Sequence, residues 1–194
     1  MWASEDANKG QALRYAGVLR ATQLVFGFLI CVSLHAATLH YWVDACARPE
    51  TGCRESDPEL ARWALEAWQA ASNGKLAFEK ASEPSRAQIR IHWVSARDGL
   101  YGEAVGGDVY VRPDDGQGLL RETIVYLTCL HETGHALGLS HTADFEDIMY
   151  SFQYGGDIAE YFGRYRRKLG RREDIRKTSG MSPADKRRLA KLLE

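Results

Sequence analysis

The stretch HETGHALGLSH, residues 131 to 141, constrains this chain more than any other part of it. It closes a segment in which Leu120, Ile124, Leu127 and Leu130 recur at steps of three and four, so the chain from Leu119 is expected to be a helix with one buried face. On that helix His131 and His135 lie four residues apart and project from the same face, about one turn apart. Gly138 follows where a left-handed backbone costs little, so the helix can end and His141 can swing back toward the other two. Imidazoles so placed can hold Zn2+ at roughly 2.0 to 2.1 Å, and zinc in hydrolytic sites takes three protein ligands and leaves a fourth position for water. His131, His135 and His141 are therefore the expected metal ligands. Glu132 is not needed as a ligand. Bound zinc lowers the pKa of its water to about 7, so Glu132 can take a proton from a metal-activated water and later deliver it to a leaving amine.

The rest of the chain suits one domain built around that helix. With 194 residues, 45% hydrophobic and 26% charged, it is long enough to bury a core. Its 25 lysines and arginines nearly balance 26 aspartates and glutamates, which argues against a nucleic-acid partner and against a charged membrane surface. TLHYWVD (38–44) reads as a strand. Ser56 and Glu59 form a possible capping box for a helix carrying Leu60, Trp63, Ala64, Ala67, Trp68 and Ala71 at helical spacing, stopped by Asn73 and Gly74. Both tryptophans are expected in the core. LAFEKA (76–81) and AQIRIHWV (87–94) alternate as half-buried strands do, and short strands are expected at 103–105 and 108–111 on either side of Gly106-Gly107. His92 falls on the polar side of its strand and is expected to be exposed rather than a ligand. Asp114 and Asp115 fit a turn better than a calcium site. Helix, strands and helix in this order give an α+β fold.

Lys9, Arg14 and Arg20 precede an apolar run at 24–34 and small residues at 36–37, the layout of a secretory signal peptide. The run is short of the roughly 20 apolar residues of a membrane span, so cleavage is favoured over a retained anchor or a buried helix. Residues 1–37 are thus expected to be signal or anchor and 38–194 the functional domain. Export agrees with Cys46 and Cys53, which bracket the loop CARPETGC; a disulfide and two free thiols both fit the spacing. Cys129 is expected to be a small core residue.

The zinc motif, with Met149 eight residues beyond His141 and Thr142 directly after it, resembles the metzincin metalloproteases, and among them most closely the matrixin branch. LHYWVD is similar to the first matrixin strand, AQIRIHW to the third, GGDVYV to the strand before the active-site helix, and MSPADKRRLAKLL to the closing helix, capped by Ser182 and Asp185. The likeness implies a zincin-type fold with a twisted mixed sheet, an N-terminal helix, an active-site helix and a C-terminal helix. It implies catalytic zinc on His131, His135 and His141, Glu132 as general base and then acid, and Met149 as a structural residue beneath the histidines. It also implies a substrate chain laid along an edge strand near Tyr101 to Val105. Three departures stand out. The segment from Trp93 to Gly106 is too short for the matrixin loop that carries structural metals, so one zinc is expected. Ser151 stands where matrixins usually have proline. Phe152 to Gly180 is an insertion, and its basic run RYRRKLGRREDIRK (164–177) reads as a solvated helix face or, less favoured, an exosite for acidic partners.

These observations lead to the expectation of an exported, monomeric zinc endopeptidase acting on extended proteins or peptides, secreted or in the cell envelope, with membrane association possible only through the N-terminal segment. The rival readings are a zinc hydrolase of a non-protein amide, a catalytically idle zinc-binding protein, and a membrane-anchored interaction module whose helix is only a scaffold. The intact Glu132 weighs against the idle version.

Overall fold

The computed structural model describes residues 36–95, 100–113 and 116–194. Nearly all of the N-terminal segment read as a signal or anchor, Cys31 included, lies outside these described residues, and so do Asp114 and Asp115. Ten elements follow in chain order: β1 (Ala37–Val43), α1 (Asp57–Ala71), β2 (Leu76–Lys80), β3 (Ile89–Trp93), β4 (Gly102–Val105), β5 (Asp108–Val111), α2 (Gly118–Ala136), α3 (Ile158–Arg166), α4 (Asp174–Lys177) and α5 (Pro183–Leu192). The five strands form one mixed sheet in the order β2-β1-β3-β5-β4, parallel throughout except for β4, which runs antiparallel to β5. The α+β class expected from the sequence is the class observed.

Alternation in β3 sets the two faces of the sheet. Ile89, Ile91 and Trp93 are buried while Arg90 and His92 are half-buried, and in β5 Val109 and Val111 are fully buried. The apolar face packs against α1 and α2, whose Trp68 indole N–H donates to the Leu130 carbonyl at 2.9 Å and fixes one helix against the other. Trp63 and Trp68 are core residues, as their spacing implied, and Cys129 is buried. On the polar face His92 is not simply exposed. Its two ring nitrogens lie 2.9 Å from Asp44 and 3.1 Å from Asp108, and its ring stacks on Tyr110. The reading of His92 as a solvent-facing residue is corrected, because carboxylates on the flanking strands close over it. Asp108 also takes two hydrogen bonds from Arg90, at 2.6 and 2.8 Å, and that guanidinium, with His92 assisting against burial, holds the Asp108 carboxyl at about 2.

The start of α1 differs from its sequence signature. Ser56 lies in helical backbone geometry and makes no side-chain cap. The carboxylate of Asp57 accepts the Arg54 N–H at 2.8 Å and forms a two-pronged ion pair with Arg121 of α2 at 2.5 and 2.7 Å, while Glu59 is drawn away to Arg172. Asp57 is claimed by the buried Arg121 and Glu59 by the partly exposed Arg172, and neither acid is left for a capping box. Arg121 also donates to the Gly52 carbonyl, inside the small loop that the Cys46–Cys53 disulfide closes.

The insertion folds onto the helices through part of its basic run, while Arg167, Lys168, Arg171, Arg176 and Lys177 stay exposed, as expected of a solvated face. Arg172 lies over the Trp63 ring at 4.6 Å and bonds Glu59, Glu122 and the Ser56 carbonyl; Arg176 pairs with Glu66 of α1 at 2.6 Å. Arg164 stacks on Phe145 and Tyr161 and pairs with Glu146. Part of the basic run is therefore a clasp between the insertion and the domain, formed because arginine combines a flat apolar surface with a charged fork. At α5 the expected cap is present: the Ser182 hydroxyl accepts from Ala184 and Asp185 N–H groups, and Asp185 accepts from Ser182 N–H.

The Asp57–Arg121 pair has both side chains fully buried, so removing one partner strands a charge in the core. Arg121→Ala is expected to lower the unfolding free energy by about 3–5 kcal/mol in urea titrations. A loss of less than about 1 kcal/mol would mean the pair behaves like an exposed one.

Candidate metal centre

α2 brings His131 and His135 to one face, and the chain leaves the helix at Gly138, whose φ is 102°. The Gly138 and Leu139 N–H groups bond back to His135 and Gly134 carbonyls at 2.8 and 2.9 Å, which tightens the bend that returns His141. The three Nε2 atoms end at 3.0, 3.1 and 3.3 Å from one another. A tetrahedral ion with bonds of roughly 2.0 to 2.1 Å needs donors about 3.3 Å apart, so the triangle fits zinc closely.

The protons of this triangle can be assigned for two of its rings. His131 Nδ1 donates to the Ile148 carbonyl at 2.6 Å and His135 Nδ1 donates to the Leu139 carbonyl at 2.8 Å. In the neutral imidazole this leaves Nε2 of each ring with a lone pair and no hydrogen. Burial pushes His131 well below the usual histidine range, the neighbouring His135 adds to this, and the Ile148 carbonyl only partly opposes it. Burial lowers His135 as well, against the pull of Leu139. Both rings are thus held in the ligating form. Two lone pairs 3.1 Å apart repel each other, and a cation between them removes that repulsion.

Glu132 is 2% exposed and rests against β4. A Cβ placed on Gly102 would come within 2.7 Å of the Glu132 Cγ and Oε1 and 2.8 Å of Thr128 Cγ2, so only glycine at that position leaves room for the carboxylate. Burial raises the Glu132 carboxyl well above its usual range, Glu103 adds to this, and Arg112 counteracts it. The sequence named Glu132 but gave no signal that Gly102 makes its seat.

Beneath the histidines lies the segment 147–151. Met149 is fully buried, and a Cβ on Gly134 would meet its Sδ at 2.4 Å, so the thioether lies directly under the helix between the two histidines. Thr142 and residues 149–151 form a short ladder, with Thr142 N–H to the Met149 carbonyl at 2.8 Å and Ser151 N–H to the Thr142 carbonyl at 3.1 Å. Asp147 accepts from the Thr142 hydroxyl, the Ser182 hydroxyl and Arg188, while Asp185 accepts the Ile148 N–H. Tyr161, from the insertion, donates its hydroxyl to the Asp147 and Ile148 carbonyls at 3.0 and 3.2 Å. Burial raises the Tyr161 hydroxyl, which stays a donor. The Ile148 carbonyl thus receives both Tyr161 and His131. Sequence reading missed Tyr161, Asp147 and Asp185 as supports of the site, since nothing in their spacing ties them to residue 131. Among the described residues, the only other group with metal-ligand composition is Cys46, Cys53 and Asp57, whose sulfurs are joined and whose carboxylate is held by Arg121.

The matrixin family model matches residues 113–160, which span the helix, the three histidines and Met149. The chain is 39% identical over 59 residues to interstitial collagenase of Oryctolagus cuniculus, covering 29% of this chain and 13% of that protein. It is 26% identical over 165 residues to interstitial collagenase of Aquarana catesbeiana, covering 73% of this chain and 43% of that protein. The chain therefore spans less than half the length of either relative. The crystal structure of archaemetzincin from Methanopyrus kandleri aligns at 17% identity with a TM-score of 0.48, covering 85% of this chain and 99% of that one. The family match falls on the stretch that carries the sequence resemblance to the matrixin branch.

Because Tyr161 steadies the carbonyl that orients His131, Tyr161→Phe is expected to weaken zinc affinity about 10-fold, the low end for partners of metal-ligating histidines. Competition with a chromophoric chelator measures this directly. An unchanged affinity in a normally folded variant would show that the hydroxyl serves packing alone.

Proposed function

We propose that this chain is a zinc-dependent endopeptidase that hydrolyses peptide bonds in extended protein or peptide substrates. The observation that carries the reading is the convergence of three histidine Nε2 atoms at a helix that also carries the buried Glu132 carboxylate, which is not part of the donor cluster. One zinc ion held by His131, His135 and His141 would supply Lewis-acid chemistry, polarising the scissile carbonyl and acidifying the attacking water.

The protein's own groups do the remaining work. Glu132 takes the proton from the attacking water and returns it to the departing amine; its burial keeps the carboxylate basic enough for the first step. Gly102 keeps Glu132 in place. β4 is the last strand of the sheet, so among the described residues one of its edges has no strand partner. An extended substrate can add there as a further strand, its main chain fixed by backbone hydrogen bonds and its scissile bond held in register with Glu132. Met149 packs under the helix and takes no part in the chemistry.

Export is part of the same proposal. The charged, apolar and small-residue pattern of the first 37 residues and the Cys46–Cys53 disulfide both support secretion or residence in the cell envelope, with a retained anchor as the alternative. Among the described residues no helix is long and apolar enough to cross a membrane. A monomer is sufficient for every step above.

Zinc analysis combined with casein and peptide-library cleavage tests the proposal. The zinc-loaded protein should cleave, a chelator should abolish cleavage, and Glu132→Ala should keep its zinc while losing about 10²–10⁴-fold in rate, the usual scale of general acid–base catalysis. Normal cleavage by the variant would remove Glu132 from the mechanism. Stoichiometric zinc with no peptide cleavage would favour a non-protein amide or an idle site.

A further inference from the structure

Arg112 stands out among the buried charges of this protein. Its side chain is 8% exposed, and neither its Nε nor its Nη1 has a hydrogen-bond acceptor. Three of the five N–H donors of a guanidinium are thereby unmet. Among the described residues its ion-pair partner is Glu103, at 3.5 Å from Nη2, beyond the roughly 2.7–2.9 Å of a charge-assisted hydrogen bond. The same fold satisfies a buried arginine fully elsewhere: Arg121 holds Asp57 through two nitrogens and bonds Gly52 as well. Leaving a buried cation without acceptors costs more than a neutral side chain would, and such a group calls for an acceptor that arrives from outside.

The location says which acceptor. Arg112 directly follows Val111, the strand partner of Gly102, and Gly102 is the residue against which Glu132 rests. The Arg112 N–H bonds the Tyr101 carbonyl at 2.8 Å, carrying the β4–β5 ladder one step further. Glu103 follows Gly102 on β4, with its side chain 38% exposed. The cation therefore sits at the end of the strand pair that borders the general base, behind a half-exposed carboxylate that holds it loosely.

We propose that Arg112 is a specificity residue that binds a carboxylate of the substrate close to the scissile bond, with Glu103 as the internal placeholder which that carboxylate displaces. The inference rests on the peptidase reading above and extends it to substrate class: a peptide with an acidic side chain next to the cleaved bond, or one cleaved near its own C-terminal carboxylate. A planar guanidinium with unmet donors is suited to carboxylate oxygens. Displacing Glu103 releases it toward solvent, so the exchange leaves no carboxylate stranded in the protein.

Isothermal titration on the zinc-loaded Glu132→Ala protein separates the outcomes without turnover. The probes are peptides that the wild type cleaves, with a single glutamate placed at successive positions around the scissile bond, their glutamine twins, and both sets with free and amidated C-termini. One glutamate position should bind about 10-fold or more tightly than its glutamine twin, the scale of a hydrogen-bonded charge. Adding Arg112→Gln should bring that ratio to near one, and adding Glu103→Gln should widen it. A gain that follows the free C-terminus instead would identify the chain end as the carboxylate. Equal binding of glutamate and glutamine peptides whatever the C-terminus, or a ratio that survives Arg112→Gln, overturns the role of Arg112 and leaves the peptidase reading standing. A zinc-loaded wild type that cleaves no peptide of the starting library would overturn the peptidase reading, and this inference with it.

Discussion

Mutual repulsion among imidazole lone pairs is the constraint around which this protein is arranged. Two rings that have given their protons to the carbonyls of Ile148 and Leu139 face each other across 3.1 Å, with a third ring at 3.0 and 3.3 Å. A chain holds such a triangle only if each ring is pinned from behind. The pins are a helix for the four-residue spacing, a left-handed glycine for the return of His141, and backbone carbonyls at fixed points for the tautomers of His131 and His135. A bound zinc ion would supply what the protein has withheld, a positive charge between the nitrogens.

The pins depend on elements far away in the chain. Ile148 is held through its N–H by Asp185 of α5 and through its carbonyl by Tyr161 of α3. Those elements are tied down in turn, α3 by its aromatic packing among Phe145, Tyr150 and Phe152, and α5 by its capping box and the Arg188 contacts to Asp147 and Asp185. The insertion is thus structural support for the centre. Two of its arginines, Arg172 and Arg176, serve that end by clasping α1. At the other end of α2, the Asp57–Arg121 pair fixes the helix to α1 and to the disulfide loop, so its register relative to the sheet is set before it reaches the histidines.

What could be read from the sequence was local. Helical spacing placed Ile124, Leu127 and Leu130 in the core, though Leu120, read onto the same face, is exposed at the start of α2, and alternation placed Ile89, Ile91 and Trp93 in the core. Gly138 could be recognised because a positive φ leaves a glycine behind. What could not be read was which distant groups meet. Ser56 and Glu59 had the spacing of a capping box, but a buried arginine and a clasping arginine claimed the acids around them. His92 had the alternation of an exposed residue, but Asp44 and Asp108 come from other strands and close on it. Tyr161 and Gly102 matter to the centre through contacts across 30 residues of chain, and no periodicity encodes such a contact.

The most direct measurement is X-ray absorption spectroscopy of the protein loaded with one equivalent of zinc. Three imidazole nitrogens and one further light atom at about 2.0 to 2.1 Å would match the geometry of His131, His135 and His141 with an open fourth position. A first shell containing sulfur, a shell of six oxygens, or no uptake of zinc by the folded protein would contradict it.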